Sequence, residues 1–127
     1  MPRYFTFQEA SQTLEFIRPL MEEVVTICRK IIADQPDIWP AIEKSAGNGG
    51  NPVLNKLVDS FEQLDDLLHR VQATGVLIKD IETGLLDFPA LRNEKEVYLC
   101  WKVGEERIGY WHEVEAGFAG RQPIESF

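Results

Sequence analysis

The side chains best suited to chemistry in this chain lie close together, between residues 98 and 113. This stretch, YLCWKVGEERIGYWHE, holds a thiol, an imidazole, two indoles, two phenols and three glutamates. A thiol, an imidazole and a carboxylate suit nucleophilic catalysis, in which Cys100 would attack and His112 would take its proton. Asp80 or Asp87 would then orient the imidazole. Against this interpretation, Cys100 lacks the helix N-terminus that commonly activates a thiol.

A metal site is the second interpretation of the same residues. His112 and Glu113, together with Asp87 from an earlier hairpin, would supply nitrogen and oxygen ligands to a divalent metal ion. The spacing gives this only weak support, because the chain contains no HxH, HExxH or CxxC pattern. The third interpretation requires no site at all, since His112 could be a sheet histidine that is hydrogen-bonded to a neighbouring acid.

Two amphipathic helices are predicted before these residues, and over residues 6–74 they would form a long antiparallel hairpin. Thr6 and Glu9 make a capping-box pattern that begins the first helix. A proline- and glycine-rich linker over residues 34–51 separates it from a second helix that begins at Pro52. Both helices carry apolar residues at spacings of three and four, as in a coiled-coil seam. In the first helix these are Ala10, Leu14, Ile17, Met21, Val24, Cys28 and Ile31, and in the second Leu54, Leu57, Phe61, Leu64, Leu68 and Val71.

The hydrophobic period changes after Gly75, and residues 75–127 are predicted to form a small antiparallel β-sheet of three to four strands. GVLIKD and LLDFP would be the first two strands, the second closed by Pro89. EVYLCWKV and IGYWHE would form a hairpin around a four-residue turn, GEER. The chain is therefore predicted to be one α+β domain over residues 1–127, in which the hairpin covers the sheet.

The four-residue turn also predicts which side chains share a face of the hairpin. Those facing the helices would be Val97, Leu99, Trp101, Val103, Ile108, Tyr110 and His112, and those on the opposite, aromatic and polar surface would be Tyr98, Cys100, Lys102, Trp111 and Glu113. In this register Cys100 and His112 lie on opposite faces. A slip of one residue would exchange the faces of one strand and bring the two side chains together.

The composition restricts the classes of partner. The chain has 127 residues and a formal net charge of −8, so nucleic acid and anionic membrane surfaces are poor partners. Its two cysteines form no disulfide framework, its start lacks the apolar stretch of a signal peptide, and no apolar run is long enough to span a bilayer. We therefore expect a cytoplasmic protein.

Much of the chain resembles an uncharacterised prokaryotic domain-of-unknown-function family, DUF family 2203. The resemblance is carried by the start, YFTFQEASQTLEFIRPL, and by a series of motifs in the sheet half: KD, GL.DFP, VYLCW, GE, YWHE and GRQP. It supplies no activity, but it implies that the polar motif positions form a site. The candidate ligand-binding residues are Lys79, Asp80, Asp87, Cys100, Trp101, Glu105, Trp111, His112, Glu113 and Arg121.

The function expected from these observations is a homodimeric binding or assembly module. The helical hairpin would join two copies, and the aromatic and polar sheet surface would bind a peptide or a small cationic or neutral molecule through stacking and cation–π contacts. The alternative is a small hydrolase-like enzyme centred on His112 and nearby carboxylates, with a divalent metal ion as its cofactor.

Overall fold

The computed structural model describes residues 3–34 and 52–127. Within these ranges, two helices, α1 (Phe7–Ala33) and α2 (Pro52–Gln72), precede five strands: β1 (Leu77–Asp80), β2 (Leu85–Arg92), β3 (Lys95–Lys102), β4 (Tyr110–Glu113) and β5 (Gln122–Pro123). The strands form one antiparallel sheet in the order of the chain. The predicted α+β class is confirmed, although the sheet has five strands rather than three to four. Apart from Asp34, the predicted linker lies outside the described residues.

Helix α1 begins at the predicted capping box. The Glu9 amide donates to Thr6 Oγ1 at 3.0 Å, and the Thr6 amide donates to Glu9 Oε1 at 2.9 Å. These two bonds satisfy donors that a helix N-terminus leaves without partners. Six of the seven predicted seam residues are buried, namely Ala10, Leu14, Ile17, Met21, Val24 and Cys28, and Ile31 is partly buried.

Helix α2 packs against α1 in the opposite direction. Arg3, just before α1, donates to the Thr74 carbonyl at 2.8 Å, and Gln63 donates to Glu23 at 2.6 Å. The buried residues of α2 include Leu64, Leu67 and Val71. Phe61, a member of the predicted apolar stripe, is 51 % exposed. The side chain of Leu54 lies outside the described ones. In the part of the chain that the structure describes, neither helix has the length and hydropathy of a membrane span.

One hydrophobic core joins the two helices to one face of the sheet. Its sheet side is formed by alternate residues of β2, β3 and β4, namely Leu86, Phe88, Ala90, Val97, Leu99, Trp101 and Trp111. Ile17, Met21 and Val24 of α1 belong to the same cluster. Each fully buried large apolar side chain contributes about 1.5–3 kcal/mol to stability. Among the described residues, neither α1 nor α2 packs against the opposite face of the sheet, which is called the outer face below.

The sequence predicted that β2 ends at Pro89, but the strand continues to Arg92. Pro89 lies opposite Tyr98 of β3, whereas the pairing of β2 with β1 stops at Asp87. A proline has no amide hydrogen to donate, so it is tolerated where one side of the strand has no partner strand. The Pro89 carbonyl instead accepts a hydrogen bond from the Phe5 amide at 2.7 Å.

The predicted register of the β3–β4 hairpin is wrong by one residue. Tyr98 lies opposite His112 and Cys100 lies opposite Tyr110. The connection covers residues 103–109 rather than a four-residue turn. The connection is also bound from outside the hairpin. Arg18 of α1 donates hydrogen bonds to the carbonyls of Glu105 and Glu106.

The slip exchanges the two faces of β4 and leaves those of β3 as predicted. Trp111 therefore packs in the core, while His112 and Tyr110 move to the outer face. This is the exchange that a one-residue change of register must produce in a strand.

Candidate functional site

Three adjacent strands bring an aspartate, a cysteine and a histidine together on the outer face. Asp87 of β2 lies directly opposite Cys100 of β3. His112 of β4 lies opposite Tyr98, two residues before Cys100, and its ring extends over β3 to reach Asp87. We call Asp87, Cys100 and His112 the polar cluster.

The polar cluster is compact and closed to solvent. One ligand atom from each residue lies within 4.8 Å of the other two. Asp87 is 3 % exposed, Cys100 0 % and His112 2 %. Burying polar groups costs free energy unless they are hydrogen-bonded, and here Nε2 of His112 lies 3.0 Å from Oδ1 of Asp87. The Cys100 thiol also lies within hydrogen-bonding reach of Asp87.

The hydrogen bonds of His112 fix the position of one ring proton. Its Nδ1 lies 2.8 Å from the carbonyl oxygen of Glu113. Because a carbonyl can only accept, Nδ1 must carry a hydrogen. A second proton lies between Nε2 and Asp87, since two unprotonated acceptors would repel each other at that distance. Asp87 and His112 therefore share one proton, and the pair has no net charge.

Arg121 and Glu105 form an ion pair beside the polar cluster. Arg121 Nη2 donates to Glu105 Oε1 at 2.7 Å, and the same carboxylate oxygen accepts from the Lys102 amide at 2.8 Å. The positive charge of Arg121 also acts on the Cys100 thiol, whose pKa it lowers. The Nε of Arg121 is buried and has no acceptor among the described residues. The ion pair thus places a guanidinium cation near the thiol.

The electrostatic surroundings of Cys100 oppose formation of a thiolate. Burial raises the pKa of the Cys100 thiol to about 12, and the charge of Asp87 and a hydrogen bond to it act in the same direction. The Arg121 cation lowers the pKa but does not offset these effects. The thiolate is the nucleophilic form. The Cys–His–acid constellation is therefore assembled, but its thiol is held in the unreactive form.

Cations of the protein itself cover the aromatic rings of the outer face. Lys79 Nζ lies 4.9 Å from the ring centroid of Tyr98, and the Arg121 guanidinium lies 4.0 Å from that of Tyr110. Lys102 Nζ lies 5.4 Å from the centroid of Phe118. The faces on which a cationic ligand would stack are thus already occupied by lysine and arginine side chains.

Two of the predicted site residues, Trp101 and Trp111, lie in the core rather than on the outer face. The Trp101 indole donates to the Glu105 carbonyl at 2.9 Å, and the Trp111 indole donates to Ser126 Oγ at 2.9 Å. For Trp111 this overturns the predicted outward position. The reason is the one-residue slip of β4 described above.

Asp80 and Glu113 also lie apart from the polar cluster. Asp80 accepts from the hydroxyl of Thr83 at 2.6 Å, which helps to lower the pKa of its carboxyl and closes the β1–β2 turn. The side chain of Glu113 points away from His112, toward Lys95 at 3.4 Å. Of the predicted metal ligands His112, Glu113 and Asp87, the structure therefore brings together the first and the last, with Cys100 beside them.

Three residues near the polar cluster were not among the predicted site residues. Tyr98 packs edge-to-face on His112 with ring centroids 5.5 Å apart, and Tyr110 and Phe118 lie beneath Arg121. The alternation of β3 had already placed Tyr98 on the same face as Cys100, although Tyr98 was not counted among the candidate site residues. Phe118 follows a turn and carries no periodic signal.

Comparison with known proteins gives a family and no activity. A search of curated proteins and a search of solved structures each returned no match. The model of one protein family matches residues 3–124, which include both helices, all five strands and the polar cluster. The chain therefore belongs to the family described as uncharacterized conserved protein (DUF2203).

Proposed function

We propose that this protein is a small binding module whose site is the polar cluster together with the Arg121–Glu105 ion pair. The observation that carries the proposal is the complete burial of Asp87, Cys100 and His112 on the face of the sheet that the helices do not cover. Buried polar and ionic pairs are weak contributors to stability, and well-packed apolar residues often replace them without loss. Binding of a ligand would explain why Asp87, Cys100 and His112 are buried at this position.

Of the ligands expected from the sequence, which were a peptide or a small cationic or neutral molecule, the outer face suits an organic cation least. The rings of Tyr98, Tyr110 and Phe118 already carry the protein's own cations. Arg121 offers a buried Nε donor that an oxygen of a ligand could satisfy. The ligand would therefore supply an acceptor to Arg121 or contact the polar cluster directly.

The proposed module is homodimeric and cytoplasmic, as expected from the sequence. Phe16 of α1 is 58 % exposed, and Val58 and Phe61 of α2 are exposed to a similar degree. Exposed apolar side chains on helices of this length support pairing between two copies. Both cysteines are free, which supports a reducing compartment.

A hydrolase-like enzyme is the second candidate function. The contact between His112 and Asp87 favours it, because an oriented histidine is a common general base. The buried thiol of Cys100 does not suit the role of nucleophile, so hydrolysis would depend on a metal-bound water.

A thermal-shift series tests the binding function. The wild type, stripped of metal, is heated with divalent metal salts, small carboxylates, phosphate compounds and short peptides. We expect at least one class to raise its melting temperature, by about 10 °C at a hundredfold excess over the dissociation constant. Asp87→Asn/His112→Gln should abolish this rise, because it changes both polar partners while keeping their approximate size.

The helix α2 offers a matched control with the same two residue types. Asp65 and His69 lie 3.4 Å apart, and each side chain is 71 % exposed. Asp65→Asn/His69→Gln should respond to ligands as the wild type does. The proposal fails if no class stabilises the wild type, or if both double variants respond equally.

A further inference from the structure

We infer that the polar cluster binds one divalent transition-metal ion of the zinc class through Asp87 Oδ1, Cys100 Sγ and His112 Nε2. This inference rests on the proposed binding function and names its ligand. The three residues supply an oxygen, a sulfur and a nitrogen from three neighbouring strands, so the sheet itself holds them in place. Glu113, predicted as a ligand, is replaced by Cys100.

The distances suit a tetrahedral ion. Zinc–sulfur bonds of about 2.3 Å and zinc–nitrogen or zinc–oxygen bonds of about 2.0–2.2 Å place ligand atoms roughly 3–4 Å apart. The present separations do not exceed 4.8 Å, and Nε2 lies 3.0 Å from Oδ1. Small side-chain rotations are enough to seat the ion. Three protein ligands leave a fourth position for water or a further ligand.

The orientation of His112 is an independent observation that favours a metal ion. Nδ1 donates to the Glu113 carbonyl at 2.8 Å, and this leaves Nε2 directed at Asp87 and Cys100. Histidines that bind metals commonly donate their other ring N–H to a carbonyl or a carboxylate in this way. The bond fixes both the tautomer and the ring plane before an ion arrives.

The exchange of protons for a metal ion conserves the charge of the buried site. Before binding, Cys100 carries its S–H hydrogen, and Asp87 and His112 share one proton. When M²⁺ binds, the S–H bond breaks and the shared proton leaves, so two protons are released to solvent. A thiolate, a carboxylate and the ion remain, with a neutral imidazole, and their sum is again zero. The buried site therefore gains no net charge, which avoids a large desolvation cost.

The groups around the polar cluster are compatible with this exchange. Arg121 can donate to the sulfur and stabilise the thiolate, while Glu105 balances its charge. Tyr98 packs on the His112 ring and Lys79 lies above Tyr98. A sulfur ligand and a nitrogen ligand select Zn²⁺, Co²⁺ or Fe²⁺ over Mg²⁺ and Ca²⁺, which prefer oxygen.

Titration with Co²⁺ tests the inference. Protein without a histidine tag is stripped of metal and titrated while its absorbance is recorded. We expect saturation at one equivalent, the visible bands of a tetrahedral ion, a thiolate-to-cobalt band in the near ultraviolet, and two protons released per ion. Cys100→Ser should lose the thiolate band, and Asp87→Asn should weaken binding more than about 100-fold, since loss of a supporting residue alone costs 10–100-fold.

Two variants provide the controls. Cys28 is the other buried thiol, and Glu113 is the predicted ligand whose side chain points elsewhere. Cys28→Ser and Glu113→Gln should each keep the wild-type spectrum. If Cys100→Ser does not fold, the band, the stoichiometry and the proton count of the wild type still decide the matter.

The outcomes separate this inference from the proposed function. Absence of the thiolate band in the wild type, or its persistence in Cys100→Ser, overturns the metal site. If Co²⁺ fails while a carboxylate or phosphate compound stabilises the wild type but not Asp87→Asn/His112→Gln, the metal inference falls and the binding function stands. If no ligand class has any effect, both fall.

Discussion

Cys100 shows that the right neighbours do not by themselves make a reactive thiol. Its side chain lies beside Asp87 and Arg121, and the carboxylate and the complete burial outweigh the guanidinium. A thiol that is completely buried remains protonated at neutral pH. The same position is suited to a metal ion, because an ion supplies the positive charge that the thiolate lacks.

Alkylation measures this state of Cys100 directly. With iodoacetamide at pH 7.5 we expect Cys100 to react far more slowly than a free thiol, because its pKa of about 12 leaves almost no thiolate and solvent does not reach it. Cys28 is 8 % exposed and serves as the internal control. Peptide mapping by mass spectrometry should find Cys28 labelled first. Selective labelling of Cys100 would instead support the nucleophile.

Among the elements, the connection between β3 and β4 determines what the site contains. Glu105 accepts hydrogen bonds from the Lys102 amide and from Arg121, and its carbonyl accepts from the Trp101 indole. These bonds connect residues 103–109, the segment that precedes β4, to the end of β3 and to Arg121. Glu105 therefore joins the segment that leads to His112 to the cation that lies near Cys100.

Removal of the Glu105 carboxylate should destabilise the fold measurably. Glu105→Ala leaves the Arg121 guanidinium, whose side chain is 12 % exposed, without its charged partner. Loss of a partner to a mostly buried donor costs about 1–3 kcal/mol of unfolding free energy. Urea unfolding followed by circular dichroism measures the change. Glu106→Ala, at an exposed neighbouring position, should shift the midpoint little, and equal shifts in the two variants would contradict the assigned role.

Local patterns in the sequence were sufficient for the helices and the strands, but not for the site. The capping box at Thr6 and the seam of α1 involve residues within a few positions of one another, so spacing predicted them. The loop before β4 is bound by Arg18, which lies 87 residues before Glu105 and carries no local signal in the hairpin. The register decides which side chains share a face of the sheet. The sequence therefore predicted the contact of His112 with Cys100 only for the case in which the pairing of β3 and β4 slips by one residue.

Pro89 is a second case in which a local sequence pattern did not predict the structure. A proline inside a strand pattern ordinarily predicts an end or an edge. Here β2 is central over its first half and an edge over its second, since β1 pairs with it only as far as Asp87. The unequal lengths of the two strands, which composition does not reveal, allow β2 to continue through Pro89.

For the whole molecule, the two helices have one face in the core and another in solvent. Ala10, Ile17 and Met21 of α1 are completely buried, whereas Phe16 is largely exposed. On α2, Phe61, a member of the predicted apolar stripe, is exposed as well. A second copy of the chain would remove such apolar surface from water, at roughly 25 cal/mol for each Å².

Light scattering coupled to size-exclusion chromatography tests the dimer. At micromolar concentration the wild type should have twice the mass of the chain, and Phe61→Glu should shift it toward the monomer without loss of helical circular dichroism. Leu91→Glu is the matched control, because Leu91 is 49 % exposed but lies on the sheet. A monomeric wild type, or equal behaviour of the two variants, would exclude pairing through the helices.

The two hydrogen bonds from Arg18 to the carbonyls of Glu105 and Glu106 give the molecule a mechanical connection between its layers. Any rotation of α1 relative to the sheet must either break these bonds or pull the loop with it. The loop carries Glu105, Glu105 accepts a hydrogen bond from Arg121, and the charge of Arg121 acts on the Cys100 thiol. A displacement of α1 is therefore coupled, through the guanidinium groups of Arg18 and Arg121, to the outer face of the sheet.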